Sequence, residues 1–157
     1  MDWLFSDILL GMETFLTPGS IFIATCAGFA IGALWYSPLL FIKAWMKGEG
    51  ITKSQLPKRS ARYMVQIQTY SFIAHGAMAS VLAIIFDLLS ISSLKLAISL
   101  SLLLAFGFIV TTRFVDMIYT IQGNHYDAKS QMKFLVSSGY YLVVSVVIAM
   151  TLFLLKN

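Results

Sequence analysis

Apolar residues dominate four stretches of the chain, roughly 20–42, 64–89, 93–115 and 134–155, and polar residues gather between them. Each stretch is long enough to cross a bilayer, which takes about 20 mostly apolar residues in a helix. The pattern predicts an all-α integral membrane protein with four transmembrane helices. Ahead of them, Trp3, Leu4, Ile8, Met12, Phe15 and Leu16 fall near helical spacing, with Asp2, Ser6, Asp7 and Glu13 elsewhere. That spacing predicts a short helix over 2–16 lying flat in the interface, with Trp3 at headgroup level. Thr17-Pro18-Gly19 breaks it.

Punctuation between the stretches sharpens the elements. Trp35-Tyr36-Ser37-Pro38, then Phe41, Lys43, Trp45 and Lys47, mark a membrane–water boundary at the end of the first span. Pro38 is expected to kink that span or to leave a carbonyl free for a partner. Gly48-Glu49-Gly50 closes the segment, and Ser54 or Pro57 is expected near the start of the second helix. The turn Leu89-Ser90-Ile91-Ser92-Ser93 is very short, so spans two and three are expected as antiparallel neighbours. Asp127 is the expected N-cap of the last helix.

Composition agrees with a membrane setting. Hydrophobic residues make up 59% of the chain and charged residues 11%, against about 25% charged in soluble domains. Four spans leave no room for a sizeable soluble domain, so residues 1–157 read as one domain. The net charge of +4 does not point to nucleic acid, because the basic residues sit beside spans. Lys43, Lys47, Lys53, Lys58, Arg59 and Arg62 lie in the first connection, and Arg113, Lys129 and Lys133 lie at the third. Lys95 and Lys156 alone fall on the other side. The positive-inside rule then puts the first and third connections in the cytoplasm and both termini outside, in a cell's inner membrane. A cleaved signal peptide is not expected, since the start is acidic. Cys26 is the single cysteine and carries no redox information.

Polar residues inside the spans share a depth. Tyr36 and Ser37 close span one, and Gln66, Gln68 and Thr69 open span two with His75 deeper. Thr111, Thr112, Arg113 and Asp116 close span three, and Ser137, Ser138, Tyr140 and Tyr141 open span four. We therefore expect Tyr36, His75, Arg113, Asp116, Ser137 and Tyr140 to line one cytoplasm-facing site for a small solute or ion. Each also has a simpler reading. Arg113 can snorkel to headgroups or pair with Asp116 three residues on, and His75 can simply hydrogen-bond a neighbouring helix. Neither a metal nor a haem is expected, since His125 lies in a loop and Cys26 in the other half of its helix. Ser37 and Ser137 lack an evident histidine–acid partner, which disfavours a membrane enzyme. Ala24, Gly28 and Gly32 form a small-residue stripe that lets helices approach closely, within one protomer or between two.

The segment Gly32-Ala33-Leu34-Trp35-Tyr36-Ser37-Pro38-Leu39-Leu40-Phe41, followed by Trp45-Met46-Lys47, resembles the bacterial membrane family called domain of unknown function 1761. So does Phe134-Leu135-Val136-Ser137-Ser138-Gly139-Tyr140-Tyr141-Leu142-Val143 near the end. Ile42 stands where the family often has glycine, Ser137 where it often has asparagine and Tyr141 where it often has tryptophan. The resemblance implies a four-helix integral membrane protein and brings no activity with it. The leading expectation is a transporter- or channel-like oligomer, a dimer or trimer in the lipid bilayer. The alternative is an accessory subunit that stabilises a larger membrane-protein complex.

Overall fold

The computed structural model describes residues 15–56, 59–119 and 127–156. Its elements are α1 (Pro18–Trp35), α2 (Ile42–Glu49), α3 (Ala61–Leu88), α4 (Leu94–Tyr119) and α5 (Ala128–Leu154). Among the described residues there is no strand. Four of the helices, α1, α3, α4 and α5, are long and apolar enough to span a membrane. The interfacial helix expected over 2–16 lies outside the described residues, apart from Phe15 and Leu16.

Helix α1 starts where Thr17 accepts the Ser20 N–H at 3.1 Å, with Pro18 in the first turn, where no donor is needed. It ends at Trp35, earlier than the hydrophobic run. Pro38 terminates α1 and does not kink it. The carbonyl that Pro38 leaves without an i+4 donor, that of Leu34, accepts the Ser37 N–H at 3.1 Å. Trp35 O accepts from Phe41 N at 2.9 Å, and Ser37 Oγ accepts from Leu39 N at 3.2 Å. The Leu34 carbonyl is therefore not left over to join a site, contrary to expectation. The chain turns and runs on as the separate helix α2, which closes on Gly50 at φ 68°, a conformation glycine adopts without strain.

Thr52 and Gln55 close a 3-10 turn with a capping box, so α3 starts later than expected. Its cap is Ser60, which accepts from Tyr63 N at 3.2 Å. Asp127 does precede α5, but its side chain makes no cap hydrogen bond.

The last helix is the hub. Helix α5 packs on α1, α2, α4 and, less closely, α3, while α1 also packs on α3. Helices α3 and α4 share a five-residue turn (89–93) yet hardly touch along their length. The expected antiparallel neighbours therefore diverge. Their buried residues explain why. Helix α3 buries His75, Ala79, Leu82, Ala83 and Phe86, a face turned to α1 and α5. Helix α4 buries Ala97, Ser101, Ala105 and Val110 against α5. The first three are four apart, and small residues at that spacing let two backbones approach closely in a membrane. The step from Ala105 to Val110 is five. It coincides with a π-helical segment, Ala105–Val110, whose wider turn keeps Val110 on the α5 side. Thr111 and Thr112 donate to the Gly107 and Phe108 carbonyls beside it.

At the end remote from the basic connections, Asp87 of α3 accepts the backbone N–H groups of Phe15 and Leu16, each at 3.2 Å. Lys156 donates to Ile91 O at 3.1 Å and lies over the Phe15 ring at 4.7 Å. Phe15 is buried against Phe86 and Phe153.

Candidate functional site

Three helices bring the chemistry together at the basic end. On α3, Gln68, Ser71, His75 and Met78 recur every three or four residues, so they share one face. Helix α1 presents Phe29, Gly32, Ala33 and Tyr36, and α5 presents Tyr140, Tyr141 and Val144. Together they enclose a cavity of about 460 Å³, within the range of small-molecule sites.

Its centre is a histidine–tyrosine pair. His75 Nε2 lies 2.7 Å from the Tyr140 hydroxyl, and Nδ1 lies 2.6 Å from the Ser71 carbonyl. A carbonyl only accepts, so Nδ1 carries the proton. In the neutral ring Nε2 is then an acceptor, and the Tyr140 hydroxyl donates to it. Tyr140 is 7% exposed. Its O–H is engaged in that bond, and its oxygen keeps an acceptor lone pair. Tyr36 and Tyr141 flank it, with ring centroids at 5.3 and 5.0 Å.

The two segments that carry the family resemblance meet here. Trp35 donates its indole N–H to Val136 O at 3.1 Å. A Cβ on Gly139 would stand 3.2 Å from the Trp35 ring, and one on Gly32 would stand 2.9 Å from the Tyr140 oxygen. The Tyr36 hydroxyl lies near the Ser137 side chain. Gly28 faces Ile148 and His75, and Ala24 is fully buried. The small-residue stripe thus lies against α3 and α5 of the same chain.

Of the six residues expected in one site, Tyr36, His75 and Tyr140 line this cavity. Arg113, Asp116 and Ser137 line a second one, also about 460 Å³, between α4 and α5. Arg113 lies 3.7 Å from Asp116. Ser137 and Tyr141 stand between the two cavities. Ser137 lies near Tyr36, and Tyr141 accepts from Arg113 at 3.4 Å under its guanidinium. The shared depth is real, but the residues face two sides of α5. Sequence reading passed over Phe29, Ser71 and Met78 as site residues. Their spacing from His75 on α3, or from Gly32 and Tyr36 on α1, was the available signal. Among the described residues, no three His, Cys, Asp or Glu side chains come together as a metal site would require.

No curated protein and no solved structure matches the chain. A family model does match, over residues 20–153, which takes in α2 and all but the first and last residues of the spanning helices. That match covers both segments whose packing builds the first cavity, and the chain belongs to the family described as protein of unknown function (DUF1761).

Proposed function

We propose that the cavity between α1, α3 and α5 binds a small uncharged solute with an apolar or ring-shaped body and a hydrogen-bond donor. The protein then acts as a transporter- or channel-like unit, associated with further copies of itself in the inner membrane. Its basic connections face the cytoplasm. The observation that carries this reading is the Tyr140 oxygen, buried and left only its acceptor lone pairs because its O–H donates to His75. Aromatic rings surround it, and no carboxylate, lysine or arginine lines the cavity. Such a site favours a neutral donor over an ion, since a buried charge would lack a partner.

Binding of benzamide, indole and benzene to the full chain in detergent tests this. The two donor-bearing rings should bind roughly five- to tenfold tighter than benzene, the worth of one hydrogen bond of about 1 kcal/mol. Tyr140→Phe should erase that difference while leaving benzene binding unchanged. A preference that survives Tyr140→Phe, or no binding of any probe, defeats the reading.

The accessory-subunit reading keeps support from α4. Among the described residues its close packing is on α5, and Leu103, Phe106 and Phe108 on it are exposed. That face suits a membrane-protein partner. Native mass spectrometry of protein extracted from its own membrane should then show a fixed stoichiometric partner in place of self-association.

A further inference from the structure

We propose that the cleft between α4 and α5 is a phosphate-binding site, occupied by the headgroup of an anionic phospholipid. Arg113, Tyr119, Ser130, Lys133 and Ser137 converge on it, with Asp116 at its side. These are the donors a phosphate oxygen selects: a planar guanidinium, an ammonium and hydroxyls. Two carboxylates also touch the cations. Asp116 lies 3.7 Å from Arg113, and Glu49 lies 3.0 Å from Lys133 but outside the cleft. Arg113 offers five N–H groups, and its 3.7 Å contact with Asp116 is long for a hydrogen bond. One of these N–H groups reaches the Tyr141 hydroxyl at 3.4 Å.

Depth favours a lipid as the source of the phosphate. From Leu94 to Arg113 the helix rises about 30 Å, one hydrocarbon thickness. Counted back from Leu154, Lys133 lies about 32 Å away. Two helices thus set their cations independently at headgroup level, at the basic end of the molecule. The floor of the cleft is Met117 and Phe134. Beside it Phe114, Val115, Ile118 and Leu135 are exposed, an apolar surface along which acyl chains can run. A basic pocket between spans at this level is the geometry that recognises anionic headgroups.

Native mass spectrometry of the full chain in detergent, titrated with phosphatidylglycerol, phosphatidylcholine or inorganic phosphate, tests the assignment. Phosphatidylglycerol should bind about tenfold tighter than phosphatidylcholine. Arg113→Gln with Lys133→Gln should erase the difference, whereas Lys43→Gln, at an exposed lysine outside the cleft, should preserve it. Should the double variant fail to fold, either single variant alone should still narrow the preference severalfold. Inorganic phosphate that binds through the same two residues, with no lipid preference, keeps the phosphate site and overturns the lipid source. Equal binding of both lipids with phosphate inert overturns the proposal, as does a preference indifferent to Arg113 and Lys133.

Discussion

A backbone carbonyl one turn back on α3 decides what His75 can do. Ser71 O fixes the proton on Nδ1, Nε2 accepts the Tyr140 O–H, and the Tyr140 oxygen is left to accept. Gly32 makes room for that hydroxyl: a Cβ there would stand 2.9 Å from it. Gly32→Ala should therefore push Tyr140 off His75 and destabilise the protein by about 1–3 kcal/mol, the usual cost of overpacking. In a Tyr140→Phe background the conflict vanishes, and alanine's better helix propensity should make the same change neutral or favourable. Thermal unfolding of the four proteins of this double-mutant cycle measures the coupling. Equal costs in both backgrounds would mean that Gly32 serves something other than Tyr140. Tyr36, His75 and Tyr140 were legible in the sequence because depth follows from counting residues along a helix. The separation of Arg113 was not, because which way a residue faces depends on which helices its own helix packs against.

Element boundaries were legible where local chemistry decides them and not where packing does. Thr17-Pro18-Gly19, read as a break, falls where α1 starts. The independent helix α2 stayed hidden, since its apolar residues continue the hydrophobic run and only the closed turn around Pro38 separates the two. The divergence of α3 from α4 was equally invisible, although Ala97, Ser101 and Ala105 carried the small-residue spacing that draws α4 to α5. Asp87 shows how one side chain joins elements far apart in sequence, tying the end of α3 to the residues that lead into α1. Asp87→Asn keeps one acceptor and turns a donor toward the other N–H. It should cost about 1–3 kcal/mol, read as a lowered unfolding temperature in detergent with helix content unchanged. An unaffected midpoint would show that the two N–H groups find other partners.

At the scale of the molecule, between 22% and 44% of each spanning window is buried within the chain. Most residues of each window are thus at least partly exposed among the described residues. Orientation in the bilayer is testable with cysteines at the exposed positions Ser54 and Ser92, in a Cys26→Ala background. In intact cells Ser92→Cys should react with an impermeant thiol reagent and Ser54→Cys should not, as the positive-inside rule expects. Reversed labelling would turn both cavities to the outer face. The π segment of α4 has a consequence at this scale. A single extra residue absorbed in the wider turn sets everything beyond it back by about 100° relative to an unbroken α-helix. Helix α4 therefore has two segments with different sequence phase that both face α5, one through Ala97 and Ser101, the other through Val110 with Arg113 in the cleft. A residue-by-residue lipid-exposure scan along α4 would trace two waves out of step, changing phase between Ala105 and Val110.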